Sequence, residues 1–448
     1  MIMTRDKSFY QSFTAIFWPL VFQNIINLAV NVADNIMLGA YSEAALAGAS
    51  SVNQLQFILQ CLVGGVGGGL TVLGSQYWGQ KRVQPIKKLC SIAFWIAVAF
   101  AAVIFIACTV APNGVLNIFI DDKEVITEGL KYLDVLKYSY IIFAITSVLL
   151  SSLNCVETVR VAFWVSVMTL VINIGLNAVL IPACGSVGAA WATLTSRVAA
   201  LVYVIVYIAI ADKKLRLRPR DLLSFDKALC IDFIKVSAPV VAISGMWGFS
   251  NAITAIILGH MEMSKAVVAA NSAAYTLYNL FKAGAQGAAN AAGIIMAKTV
   301  GAGEFSKVKE YARSLQIIFV CIGLITALLL FLTKDLVLSM YELSPEAMTF
   351  AHQFILVLTV CTLGMAYQMP TITGIIRGGG DTRFGMYNDL VSIWGIVLPV
   401  SALAAYVFKW PPVAVVACLN SDQIFKCGAA CFRCNRFRWV KKLTRDEN

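Results

Sequence analysis

Apolar runs long enough to cross a bilayer as helices, which takes about twenty residues, recur along the whole chain. They fall at 13–38, 46–73, 90–112, 132–153, 161–182, 187–211, 232–259, 267–296, 314–333, 350–376, 386–407 and 412–432. The pattern predicts an all-α polytopic membrane protein of about twelve transmembrane helices. Polar residues inside these runs keep to one helical phase. In the first run Gln23, Asn27, Asn31 and Asp34 share a single face. Asn53, Gln56 and Gln60 recur in the second run, Thr169, Asn173 and Asn177 in the fifth, and Ser244, Asn251 and Thr254 in the seventh. The eighth run carries Asn271, Tyr275, Asn279, Lys282, Gln286 and Asn290 along its full length. Polar glue between helices needs one or two such residues, whereas a full-length stripe suits a water-filled cavity.

Ionisable groups at membrane depth are costly and therefore informative. Asp34 is the main acidic candidate of an otherwise apolar run, and Asn173 and Asn177 are candidate partners for it. A carboxylate with amide neighbours suits reversible binding of a proton or Na⁺, although an ion pair or an interfacial position would explain it too. Arg197, in the sixth run, is the expected counter-charge if the two helices touch. Lys282 has three readings: a ligand for an anionic substrate group, a fixed internal cation, or a side chain snorkelling to an interface. Asp422 and Lys426 stand four apart in the last run and are expected to neutralise each other structurally.

The chain repeats itself at an offset of 220 residues: Phe13 matches Phe233, Pro19 matches Pro239, Asn31 matches Asn251, and Gly64 and Gly67 match Gly284 and Gly287. Two lobes of six helices in the same orientation follow, a parallel repeat. The expected domains are 1–211, a basic linker at 212–231, and 232–448. Lys and Arg set the orientation. With the N-terminus inside, 27 of the 35 basic residues fall in cytoplasmic segments and 6 in outer loops. Both termini are therefore expected in the cytoplasm, and the protein in the inner or plasma membrane.

Composition agrees with this picture. Apolar residues make up 59% of the chain, charged residues 13%, and mean hydropathy is +0.78, against roughly 25% charged residues in soluble domains. The net charge of +11 does not indicate nucleic acid, because the basic residues lie in short runs between apolar segments. The 12 cysteines are scattered through apolar runs and read as small hydrophobes, not a disulfide framework. Cys427, Cys431 and Cys434 cluster, but no His accompanies them, so no metal site is expected. The first apolar run is longer than a signal-peptide core and is expected to be a retained span.

On these residues the chain resembles the multidrug and toxic compound extrusion (MATE) family over nearly its whole length. The segment Val32-Ala33-Asp34-Asn35-Ile36-Met37-Leu38-Gly39 is similar to the family's acidic-to-glycine segment of span 1. SQYWGQKR at 75–82 is similar to its Q-x-x-G-x-x-[KR] loop, and NIGLNAVLIPACGSVGAAWATLTS at 173–196 to its most specific pattern. GIIRGGGDTR at 374–383 and RWVKKL at 438–443 resemble two further family segments. The resemblance implies two lobes forming a V around a central cavity, and export of organic compounds, often cationic, against inward H⁺ or Na⁺. It places Asp34 on the coupling carboxylate and Asn173 and Asn177 on its polar neighbours. Some relatives carry Asp where this chain has Asn177. Trp247 and Ala366 stand where one branch has acidic residues, and Lys282 adds a positive charge, which favours the DinF-like branch.

The resulting expectation is a secondary exporter working by alternating access. Its site would comprise Asp34, Asn173, Asn177 and Arg197 for the coupling ion. Gln23, Asn27, Asn31, Asn53, Gln56, Gln60, Asn251, Tyr275, Asn279, Lys282 and Gln286 would line the substrate cavity. No cofactor or metal is expected, only the coupling ion. The expected partners are the bilayer and small organic substrates, with function as a monomer. A flippase for lipid-linked oligosaccharide or another amphiphile is the alternative, and would need a strongly basic cavity. A membrane-embedded enzyme would need a catalytic constellation, but His260 and His352 stand alone and no HExxH, GxSxG or P-loop pattern occurs.

Overall fold

The computed structural model describes residues 3–119, 122–261, 264–339, 341 and 343–445. The described residues are 87% helical, and no strand occurs among them. Helices α1 (Lys7–Tyr41), α2 (Glu43–Gly79) and α3 (Val83–Val110) are followed by short α4 (Pro112–Asn117) and α5 (Lys123–Leu136). Next come α6 (Tyr138–Cys155), α7 (Arg160–Cys184) and α8 (Ser186–Ile210), then a linker holding a 3₁₀ turn at Pro219–Leu223. The second half contains α9 (Lys227–Gly259), α10 (Ser264–Gly301), α11 (Phe305–Leu338) and α12 (Pro345–Met369). It continues with α13 (Thr382–Asp389), α14 (Leu398–Tyr406), α15 (Pro412–Leu419) and α16 (Asp422–Asn435). Between these, Pro370–Ile376 and Leu390–Val397 are π-helical.

Among the described residues, ten helical segments are long and apolar enough to cross a membrane. They fall on ten of the twelve expected spans, usually running a turn or more past the apolar core into the flanking polar residues. The other two expected spans differ for identifiable reasons. At 38 residues α10 is long enough, but its polar stripe lowers its hydropathy. The run 412–432 breaks at Asn420 and Ser421 into α15 and α16.

Helix starts follow capping chemistry. Ser42, Asp122 and Ser344 cap α2, α5 and α12 by accepting from backbone N–H groups of their first turns. Asp6 accepts from Ser8 N at 2.9 Å before α1, and Asp226 accepts from Ala228 N at 3.0 Å before α9. These two caps stand 220 residues apart, as do the helix starts Lys7 and Lys227 and the intrahelical prolines Pro19 and Pro239. The repeat thus extends to the local devices that begin and bend each lobe's first helix.

The described residues form two compact units, Met1–Val21 with Gly245–Asn448, and Phe22–Ser244. Both boundaries fall inside long helices, α1 and α9. In the unit 22–244, α7 and α8 form a tight hairpin. Gly185 turns it with φ +61°, and a Cβ on Gly188 would collide with the Leu180 carbonyl. In the other unit, Ala285, Ala288, Ala289, Ala291 and Ala292 bury one face of α10. Small side chains allow helix backbones to approach closely, which matters where lipid removes the hydrophobic drive between helices. Large apolar residues such as Val103, Val171 and Leu332 remain exposed, a surface suited to acyl chains.

Candidate functional site

In the unit 22–244 the α7–α8 hairpin sets Asn173 and Asn177, one turn apart and both fully buried, against the half-buried Asp34 of α1. Asn177 Nδ2 donates to Asp34 Oδ1 at 2.5 Å and to Asn173 Oδ1 at 3.2 Å. Asn173 Nδ2 in turn donates to Thr193 Oγ1 of α8 at 3.5 Å. The Asn177 Oδ1 is buried and has no hydrogen-bond partner among the described residues. Three helices thus bring a carboxylate, two carboxamides and a hydroxyl together, a set of oxygen and amide groups able to hold a proton or a small cation.

Arg197 of α8 sits beside this site. Its Nη1 donates to Gln56 Oε1 and to Ser139 Oγ, each at 2.8 Å, and its guanidinium lies 5.3 Å from the Phe143 ring centre. Its charge acts on Asp34 through space. Among the described residues Arg197 forms no ion pair within 4 Å, so hydrogen bonds satisfy it. Asn27 accepts from Ser166 Oγ at 3.1 Å. Gln23 and Asn53 are half-buried, Gln56 is buried, and Asn31 and Gln60 are exposed.

Two residues of this cluster escaped the sequence reading. Tyr132 of α5 is buried beside Thr193 and Asn53, in the field of Asp34 and Arg197. Thr193 could have been found, because it lies in the GSVGAAWAT stretch. Tyr132 sits in an amphipathic helix outside any polar stripe and carries no such signal.

In the unit containing 245–448, Lys282 of α10 points its ammonium at the Trp247 indole, 4.4 Å from the ring centre, a cation–π geometry. Tyr275 donates to Asn420 Oδ1 at 2.7 Å, where α15 ends. Gln286 Nε2 donates to Asn290 Oδ1 at 3.3 Å, one turn along the stripe. Asn251 and Asn279 are exposed. Lys426 of α16 pairs with Asp422 at 2.9 Å, at the i, i+4 spacing, and with Asp389 of α13 at 2.8 Å. Among the described residues no three His, Cys, Asp or Glu side chains are placed to hold a metal. All 12 cysteines are free.

A helical protein with ten spans of membrane-crossing length among its described residues, and polar groups set inside both units, is a multi-pass membrane protein of the transporter class. A sequence profile of the MatE family matches it twice, over residues 19–179 and 239–403, with the two starts again 220 residues apart. The chain therefore belongs to the MatE family of membrane transporters. It is similar to the uncharacterized transporter YisQ of Bacillus subtilis (strain 168), with 24% identity over 89% of this chain and 88% of that one. It is also similar to the probable multidrug resistance protein YoeA of the same organism, with 22% identity over 91% and 90% of the two chains. Among solved structures, a MOP-superfamily transporter from Pyrococcus furiosus has a TM-score of 0.88 at 16% identity, covering 99% of this chain and 100% of that one.

Proposed function

We propose that this transporter exports organic compounds against an inward flux of H⁺ or Na⁺, with Asp34 as the coupling carboxylate and Asn173 and Asn177 as its partners. The observation that carries the reading is the Asn177 carboxamide. Its nitrogen bonds Asp34, while its oxygen is buried with no donor among the described residues. An unmet buried acceptor costs about 1–3 kcal/mol, and a proton or cation bound beside the carboxylate supplies what it lacks. Occupancy of Asp34 then biases the balance between two states of alternating access. Drug-like substrates are supported by the relatives described as probable multidrug resistance proteins.

Lys282 favours substrates that are not simple cations, or a second reading in which an anionic amphiphile such as a lipid-linked oligosaccharide is flipped. The Pyrococcus furiosus transporter is described as having a binding pocket of reverse polarity that suggests a different function. The distribution of basic residues supports cytoplasmic termini in the inner or plasma membrane, and we take the monomer as the working unit. The deciding experiment is reconstitution of the full chain in liposomes under an imposed H⁺ or Na⁺ gradient. Dye accumulation driven by one gradient supports the proposal. Accumulation that ignores both overturns it.

A further inference from the structure

The linker between the repeats is folded against α3, and its position relative to the bilayer can be read from that helix. Residues 91–110 of α3 carry no charge, whereas Lys87 and Lys88 stand just before them. About twenty uncharged residues match one hydrocarbon thickness, so the headgroup boundary falls near Ser91. The linker meets α3 at that level: the Leu222 carbonyl accepts from Ser91 Oγ at 2.7 Å and from Trp95 Nε1 at 2.9 Å. A tryptophan with an apolar body and a bonded N–H is typical of this depth.

Leu223 and Phe225, flanking this contact, are 73% and 70% exposed. Arg218, Arg220 and Lys227 are exposed around them. The linker's acidic groups are each engaged by backbone N–H groups or by lysines of α3. Asp212 accepts from the backbone N–H groups of Lys214, Leu215 and Arg216. Asp221 pairs with Lys87 at 2.8 Å and Asp226 with Lys88 at 3.0 Å. Burial alone would raise the Asp221 carboxyl, yet the Lys87 hydrogen bond and charge hold it below the usual range; Lys88 does the same for Asp226. Both stay anionic and cancel the α3 lysines, which leaves the outward face of the linker cationic.

We propose that residues 218–227 form a docking surface for anionic phospholipid. Leu223 and Phe225 enter the acyl boundary, and Arg218, Arg220 and Lys227 receive the phosphate headgroups. A basic side chain near an anionic surface is worth about 1 kcal/mol, so two arginines enrich anionic lipid on the order of tenfold or more. The occupant is the bilayer surface, because the exposed pair is apolar as well as flanked by charge, and free phosphate would leave Leu223 and Phe225 in water.

The test is hydrogen–deuterium exchange of the full chain in nanodiscs of phosphatidylcholine, with and without phosphatidylglycerol. Amides of 218–226 are expected to exchange on the order of tenfold more slowly in the phosphatidylglycerol discs. That difference should vanish in the double variant Arg218→Gln/Arg220→Gln, with α3 protection retained. Leu223→Ser/Phe225→Ser should raise exchange in both discs. Equal exchange of the wild type in the two discs overturns the proposal without recourse to any variant. So does a difference that survives loss of both arginines, or one that inorganic phosphate reproduces in phosphatidylcholine discs.

Discussion

Asn177 reaches Asp34 across 143 residues of sequence with a 2.5 Å hydrogen bond, and does so from a buried position on a different helix. The carboxylate is therefore held in place by a neutral donor and, among the described residues, by no ion pair within 4 Å. A charge held this way can be neutralised without breaking a salt bridge, which is what repeated ion binding and release require.

Asp34→Asn tests this directly, since it keeps size and one oxygen but removes the titratable charge. The variant should reach the membrane at wild-type levels and still bind substrate. Gradient-driven dye transport in liposomes should fall to the level of empty vesicles. Wild-type rates with unchanged ion dependence would place coupling elsewhere.

Lys282→Ala removes a cation that, among the described residues, has an indole face and no ion pair within 4 Å. At an effective dielectric of about 20, a unit charge about 8 Å away feels roughly 2 kcal/mol. A cation loses that penalty and an anion loses the matching attraction, so transport of cationic dyes relative to anionic ones should rise on the order of a hundredfold or more. Competition assays with matched dye pairs measure it, and an unchanged preference at normal expression would reduce Lys282 to a packing role.

The spans were legible because each is an apolar run of bilayer length, and the repeat because Pro, Gly and Asn recur at one offset. Asp34 and the α7 asparagines were legible as polar positions of shared phase. What was not legible depends on long-range approach. Helical spacing points Lys426 at Asp422, but nothing in the sequence points it at Asp389, 37 residues earlier. The break at Asn420–Ser421 and the π-helical turns near Pro370 and Pro399 arise where prolines and polar groups are accommodated by neighbouring helices. An apolar run read by hydropathy contains no trace of them.

Acid should loosen the start of α1. Tyr311 Oη donates to Asp6 Oδ2 at 2.6 Å and, with Ser8, holds that carboxyl down at about 2. A depressed carboxyl contributes stability above its ordinary value near 4. That contribution is lost as pH falls from about 4 through about 2. The same anchor includes Thr4 N bonded to Ser314 Oγ at 2.8 Å and Phe9 stacked on Tyr311. Limited proteolysis with an acid-active protease should cut near residues 4–8 faster across that window. Tyr311→Phe keeps the stacking but should be cut faster already at pH 5 and show a weaker acid dependence.

Lys426 is 4% exposed and serves two carboxylates, Asp389 at 2.8 Å and Asp422 at 2.9 Å. Gln423 Nε2 also donates to Asp422 at 2.9 Å, and Gln368 Nε2 to Gln423 Oε1 at 2.9 Å. Breaking a buried ionic group by removing one partner typically costs 3–5 kcal/mol, because the remaining charges stay buried and unpaired, while replacing the whole group with apolar residues is often neutral. Lys426→Met should therefore destabilise the protein by about 3–5 kcal/mol, read as a lower thermal midpoint in detergent. Lys426→Met combined with Asp389→Leu and Asp422→Leu should recover most of the loss. The same cluster could instead take part in ion coupling, and Asp389→Asn separates the two roles: it halves the negative charge while Asp422 keeps its pair with Lys426. A structural cluster predicts wild-type ion dependence of transport per folded molecule in that variant. A shifted H⁺ or Na⁺ dependence at unchanged thermal midpoint would make the cluster part of the coupling machinery.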